Sequence, residues 1–267
     1  ATHVVVEPTR ISKASFIDGV SHRQPLSLIY NQYIRCSEDP LYTSETEALQ
    51  MLLRPLFTTS FLLDDFFADN EFFAAQQLVL TSASSKTALG MAFLLNHNRK
   101  DRDQAYKIIG LTSSANKTFV EGLGCYDQVA TYDELAQIDS TLPTAIVDFA
   151  GNGQLLGQLH ALLADRLTYS CLVGASHWDQ RAGLTKDLAG PKPIMFFAPS
   201  QAEKRIKEWG GPLFQTKLAK VWQGFIDFVG GWVNIEKRQG VEEVKSTYQN
   251  VLAGKLDPKE GHIVSMW

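Results

Sequence analysis

The chain has 267 residues, 45% of them hydrophobic and 20% charged, enough apolar material for a sizeable core in one domain or two. A formal net charge of −4 and a pI near 5.9 supply no basic surplus for nucleic-acid phosphates or anionic lipid, so nucleic acid is not an expected partner. No apolar run approaches the roughly 20 residues of a membrane span, and the opening ATHVVVEPTR lacks the regions of a signal peptide, which makes a cytoplasmic location the default expectation.

Taken in order, HVVVE (3–7) reads as a strand, and its place at the very start without a methionine reads as a chain lacking an N-terminal region. Residues 45–53 form a helical tract running into Arg54 and Pro55, and LFTTSFLLDDFF (56–67) reads as a second helix packed beside a sheet. QQLVLTS (76–82) is a β-rich run, followed by polar SSKT and the helical spacing of Ala88, Leu89, Met91, Ala92, Leu94 and Leu95. The pattern recurs. YKIIGLT (106–112) is a strand, and Ser114 can cap a helix that ends at Gly124. QVAT (128–131), TAIVDFA (144–150), LTYSCLVG (167–174) and PIMFFA (193–198) are further β runs, with a leucine-rich helix over 154–163.

Six β runs, the first five separated by helix-length segments and continuously apolar, are what a parallel sheet covered on both faces requires. Right-handed crossovers then give an α/β fold, a doubly wound parallel six-stranded Rossmann sheet. A long amphipathic helix over 212–232, the strand VNIEK, a helix over 241–252 and the strand GHIVS follow. A strand at each terminus predicts one small β unit completed by both chain ends. The expected domains are a dinucleotide-binding domain over 56–234 and a remnant substrate domain made of 1–55 with 235–267.

The first β-α turn of a dinucleotide fold uses glycines so that backbone amides at a helix N-terminus can approach a pyrophosphate. Here it reads Thr81, Ser82, Ala83, Ser84, Ser85, Lys86, Thr87, with no G-x-G-x-x-G. Small residues still permit close approach, hydroxyls can donate to phosphate, and Gly90 suits close helix–strand packing; a solvated turn with a serine cap is the plain alternative. At the tip of the second strand, where a carboxylate would grip a ribose 2'-hydroxyl, the chain offers Thr112, Ser113 and Ser114, with Lys117 one turn later. Hydroxyls and a cation suit a 2'-phosphate, which predicts NADP(H) over NAD, against the alternative that they only cap a helix. Ala150, Gly151 and Asn152 after the fourth strand, and Gly174, Ala175 and Ser176 after the fifth, lie at the carboxyl edge where such sheets bind ligands.

The run from LLRPLFTTSFLLDDF through VLTSASSKTALGMAFLL, GLTSSANKTFVEGLGCYDQVATYDEL, IVDFAGN and LVGASHWD resembles the cofactor domain of the medium-chain dehydrogenase/reductase superfamily. The tail VLAGKLDPKEGHIVSMW resembles that superfamily's closing helix and strand, and YNQYIRC with LLRPLFTTSFLLDDF resembles a bacterial branch carried as a domain of unknown function. The resemblance implies that Ser82–Thr87 hold pyrophosphate and Thr112–Lys117 surround the 2'-phosphate. It also implies that Gly151, Asn152, Gly174 and Ala175 border the ribose and nicotinamide, with Thr58 and Thr59 on a helix passing near the nicotinamide. The superfamily's N-terminal barrel is largely missing, ATHVVVEPTRIS resembling only its last strand.

Cys36, Cys125 and Cys171 are few, odd in number and scattered, which predicts buried reduced thiols and neither a disulfide framework nor a metal site. The expected reaction is therefore metal-free: hydride delivery from NADPH to an enone- or quinone-like C=C or C=O, with Tyr30 and Asn31 of YNQY, beside Tyr33, as the catalytic candidates. For Tyr30 and Tyr33 the alternative is that they cover the core edge. His177 and Trp178 line the pocket or pack their loop. Three rivals stand beside this reading. One is a hydrolase with Ser176 in an imperfect G-x-S-x-G elbow and His262 as base; one is a phosphate-loop nucleotidase built on Lys86, Thr87 and Asp148; one is a non-catalytic Rossmann-like binder or sensor. PIMFFA, apolar and at a sheet edge, predicts a homodimer through that edge.

Overall fold

The computed structural model describes residues 3–174 and 188–267. Its contacts divide the chain into two compact units, residues 56–198 and the two chain ends, 1–55 with 199–267.

The N-terminal end forms an antiparallel sheet of β1 (Pro8–Thr9), β2 (Ser15–Asp18) and β3 (Gln32–Ile34). The expected strand HVVVE is not one: Val4 and Val5 are exposed at 68% and 95%, and the Glu7 amide donates to the buried Asp18 carboxylate at 3.1 Å. That bond substitutes for a ladder partner and holds the Asp18 carboxyl below its usual range.

The two helices expected on either side of Pro55 are one, α1 (Glu47–Asp69). Pro55 and Met51, four residues before it, are both exposed, so the Met51 carbonyl, to which the proline nitrogen has no hydrogen to donate, lies where water can hydrate it.

The second unit contains β4 (Gln77–Leu80), α2 (Lys86–Asn98), β5 (Lys107–Thr112), α3 (Lys117–Gly122), β6 (Gln128–Thr131), β7 (Thr144–Asp148), α4 (Gly153–Leu163), β8 (Leu167–Leu172) and β9 (Ile194–Met195). All six strands are parallel, in the order β6-β5-β4-β7-β8-β9, so the doubly wound Rossmann sheet read from the sequence is present. Burial on both faces explains the unbroken apolar runs: every residue of β4 and β7 is buried, and Val79, Ile109, Leu111, Ala130 and Ile146 share one core with Leu155, Leu156, Leu159 and Leu163 of α4.

Local details differ from expectation. The β6–β7 connection holds one 3-10 turn, Leu135–Gln137, and no α-helix. A 3-10 turn, Ser114–Asn116, precedes α3, so Ser114 is not its cap. Gly90 serves helix–helix rather than helix–strand packing, since a Cβ there would lie 2.6 Å from Ser60 Oγ of α1. That hydroxyl donates to the Leu56 and Thr87 carbonyls, at 3.0 and 2.7 Å, and so staples α1 to the start of α2.

Before β4, Glu71, Phe72, Phe73 and Ala74 all take positive φ, between 49° and 56°. Left-handed turns cost L-residues about 1–2 kcal/mol each. Here Phe73 stacks on Tyr169 at 3.7 Å, Phe72 packs on Tyr106 at 4.5 Å, and Arg102 lies over the Phe72 ring while gripping the buried Asp64 carboxylate through two nitrogens.

After β9 come α5 (Ala198–Trp209), α6 (Gly211–Gly230), β10 (Asn234–Gln239), α7 (Val241–Leu252) and β11 (Glu260–Ser265). α6 buries Phe214, Leu218, Trp222, Phe225, Ile226 and Val229 along one stripe. β11 pairs in parallel with β10 and not with the N-terminal strands, so the unit that both chain ends complete holds two small sheets, one from each end.

Two outcomes follow from this packing. Gly90→Val must displace Ser60 and should destabilise the protein by roughly 1–3 kcal/mol, read as a lowered urea midpoint. The buried His160 has Nδ1 2.7 Å from the Ala189 carbonyl, to which it therefore donates, and Nε2 2.9 Å from Ser170 Oγ, from which it accepts; burial lowers its pKa. The unfolded chain then takes the proton first as pH falls, so this contribution to stability is complete above about pH 6.5 and is lost below it. The melting temperature should drop from pH 7 to 5.5, with a flatter profile in His160→Gln.

Candidate functional site

The sheet's strand order reverses between β4 and β7, the point at which open α/β sheets leave a crevice at their carboxyl ends. Thr81, just past β4, donates its hydroxyl to Asp148 Oδ1 at the end of β7 over 2.6 Å, and both residues are buried. The same carboxylate accepts the Ala150 amide at 3.1 Å and the Gly151 amide at 3.2 Å, which folds the chain into a turn with Gly151 at φ 68°. Asn152 then caps α4, its side-chain oxygen accepting the Leu155 amide at 3.1 Å. After β8 the Val173 and Gly174 amides donate to the Asp148 carbonyl at 2.9 and 3.1 Å. A Cβ on Gly174 would meet the Phe149 carbonyl oxygen at 1.9 Å, so only glycine permits this approach.

The serine turn sits beside this crossing. Ser82 has φ 51°, its carbonyl accepts the Ser85 amide at 2.7 Å, and Ser85 caps α2 by accepting the Ala88 amide at 3.4 Å. Neighbouring strands brace it. The Ala83 amide donates to the Leu111 carbonyl at 2.9 Å and Tyr126 donates to the Ala83 carbonyl at 3.0 Å; the Asn116 amide nitrogen donates to Ser84 Oγ at 3.0 Å, with Thr112 Oγ1 at 3.5 Å. Gly110 leaves the space for this, since a Cβ there would meet the Tyr126 ring at 2.9 Å. Burial raises the pKa of the Tyr132 phenol, with the neighbouring Ser82 acting in the opposite direction.

At the tip of β5, Thr112 is buried, Ser113 half-buried and Ser114 exposed. Lys117 Nζ lies 2.8 Å from Glu134 Oε2, which raises the lysine pKa and, with the Thr131 amide, holds the Glu134 carboxyl at about 2. Thr58 and Thr59 are half-buried on α1, one or two residues before Ser60.

Tyr30 and Asn31 belong to the other unit. Asn31 is buried with both ends of its carboxamide engaged by Arg23, at 3.0 Å from Nε and 2.9 Å to the carbonyl, while Tyr30 is 52% exposed. Tyr33 stacks on Phe16 at 5.0 Å. Ala175, Ser176, His177 and Trp178 lie outside the described residues. Of the thiols, Cys125 and Cys171 are buried but Cys36 is exposed, against expectation, because it lies in a short 3-10 turn of the N-terminal segment; burial pushes Cys125 up to about 12 and Cys171 higher, so neither is a ready nucleophile. Among the described residues no group of three or more His, Cys, Asp or Glu can hold a metal ion, and no helix is long and apolar enough to cross a membrane.

Sequence reasoning missed Tyr126, Tyr132 and Glu134. One signal was available: Thr131-x-x-Glu134 has the spacing of a capping box, in which the glutamate returns to the amide three residues earlier. Replacing Thr81 by Val, which removes only the hydroxyl, should cost about 1–3 kcal/mol by chemical denaturation because Asp148 loses a buried donor.

The family model described as "Protein of unknown function (DUF2855)" matches residues 1–257. No curated protein matches the chain. Among solved structures, a putative NADPH:quinone reductase from Mesorhizobium loti aligns with TM-score 0.54 at 13% identity, over 83% of this chain and 60% of that one. YhdH from E. coli K-12 with bound NADPH aligns with TM-score 0.51 at 13% identity, over 79% and 61%, and CurA from Vibrio vulnificus in complex with NADPH with 0.50 at 14%, over 78% and 61%. The chain thus spans about three-fifths of the length of these structures, and at such identities the likeness establishes a shared fold. By its match over nearly the whole sequence, the chain belongs to the DUF2855 family.

Proposed function

We propose that the chain binds NADP(H) along the carboxyl edge of its six-stranded sheet and serves metal-free reduction of an activated C=C or C=O. The observation that carries this reading is the crossing at the switch point, where the serine turn, the Gly151 turn and Gly174 are drawn together around Thr81 and Asp148. The donor set fits a dinucleotide. Hydroxyls of Ser82, Ser84, Ser85 and Thr87, with Ala83 and Lys86, line a turn that opens the thirteen-residue helix α2, whose first-turn amides have no carbonyl of their own helix. Lys117 with Thr112, Ser113 and Ser114 suits a 2'-phosphate, and we assign Gly151, Asn152, Gly174 and, next in sequence, Ala175 to the ribose and nicotinamide. The NADPH bound in the YhdH and CurA structures supports the same cofactor for this fold.

The bound cofactor supplies the hydride. The chain's own groups position and exclude water: Thr58 and Thr59 on α1 border the nicotinamide end, and Tyr30 offers an exposed phenol as proton donor. Asn31 acts there by fixing Arg23, whose guanidinium donates to the Tyr30 carbonyl at 2.6 Å. We assign residues 56–234 to the cofactor and the remaining chain ends to substrate. A homodimer through β9 fits its position at the sheet edge and the exposure of Ile194, Met195 and Phe197 at 53%, 47% and 54%.

A second reading, a Rossmann-like protein without turnover, is favoured by one observation: Lys117 is already paired with Glu134 at 2.8 Å. Calorimetry separates the cofactor claim from its absence. NADPH should bind more tightly than NADH, and Lys117→Ala should weaken NADPH by about threefold or more, less than the full worth of a hydrogen bond to a charged group because Glu134 already shares the lysine. Failure of both nucleotides to bind would overturn the proposal, whereas binding without reduction of any enone or quinone would favour the second reading.

A further inference from the structure

We infer that Glu134 sets the cofactor preference of this site by holding Lys117 in a neutralised pair at the tip of β5, so that NADPH is favoured over NADH by less than the lysine alone would give. The inference rests on the NADP(H) reading above. Its starting point is the register of the sheet: Thr131, the last residue of β6, pairs with Thr112, the last of β5, and the Tyr132 amide donates to the Thr112 carbonyl at 3.1 Å. The turn after β6 is therefore laid against the strand tip where the adenosine ribose of a dinucleotide is recognised.

Glu134 is fixed in that turn at both ends. Its amide donates to the Thr131 carbonyl at 3.0 Å, and its Oε2 accepts the Thr131 amide at 3.0 Å as well as Lys117 Nζ at 2.8 Å. Two donors on one oxygen keep the carboxylate ionised at every pH the fold meets. The pair is partly open to solvent, with side chains 28% and 35% exposed, so an arriving ligand meets the carboxylate together with the ammonium. The two charges respond oppositely to it. A 2'-phosphate dianion is drawn by Lys117 and repelled by Glu134, whereas a free ribose hydroxyl can donate to the carboxylate. Glu134 is anchored by backbone and Lys117 by a flexible stem, so the lysine has to be shared between the phosphate and its resident partner.

The test measures dissociation constants of NADPH and NADH for the wild type and Glu134→Gln, which keeps an oxygen for the Thr131 amide, with thermal melting as a fold check. Removing the negative charge should raise the NADPH-to-NADH affinity ratio by about tenfold, with NADPH tightening and NADH weakening. A merely structural role would weaken both nucleotides alike and leave the ratio unmoved. A second measurement needs no variant: 2',5'-ADP and 5'-AMP, which differ only by the 2'-phosphate, should bind the wild type within about fivefold of each other. Nucleotide binding with an unchanged ratio in Glu134→Gln, or a 2',5'-ADP preference well beyond that range, would overturn the inference and leave the cofactor reading standing. No binding of any of these compounds would overturn both.

Discussion

The hydrogen bond from Thr81 to Asp148, buried at the crossing of the first and fourth strands of the sheet, is the constraint on which the candidate site depends. A carboxylate removed from water requires donors, and the chain supplies them from three directions: the Thr81 hydroxyl and the Ala150 and Gly151 amides. The backbone carbonyl of the same residue takes the amides that follow β8. One aspartate thus ties together the loops after three neighbouring strands, and satisfying its charge and building the crevice are the same event.

The serine turn shows how a dinucleotide-type fold can dispense with its glycines. Ser82 takes a left-handed φ that glycine would adopt without strain, and the turn is held in that shape by groups from neighbouring strand ends: Tyr126 on Ala83 and Asn116 on Ser84. The glycine that matters has moved one strand over, to Gly110, where its missing side chain admits the Tyr126 ring. Close approach is preserved with a different division of labour.

The sheet was legible because burial on both faces writes itself into a sequence as short unbroken apolar runs, and all six were visible as such. What was hidden depended on contacts distant in sequence. Pro55 looks like a stop signal, but its solvent-facing position lets α1 continue; HVVVE looks like a strand, but the Glu7 amide goes to Asp18, eleven residues away. The residues of the serine turn and the strand-tip lysine were legible from position in the β-α-β order. The lysine's partner Glu134 was not, because only the strand order brings the third strand's exit beside the second's.

This partner bears on how much a ligand can gain. A group already hydrogen-bonded within the protein gives less net free energy when it exchanges one partner for another, since the bond made replaces a bond lost. Lys117, held on Glu134, is in that position. On the proposed NADP(H) reading, affinity at this edge therefore comes mainly from the N-terminus of α2, which does not read the 2' position. On that reading, recognition of the dinucleotide as a whole and discrimination at its 2' position are carried by different parts of the site, so the second can be tuned by a single carboxylate without disturbing the first.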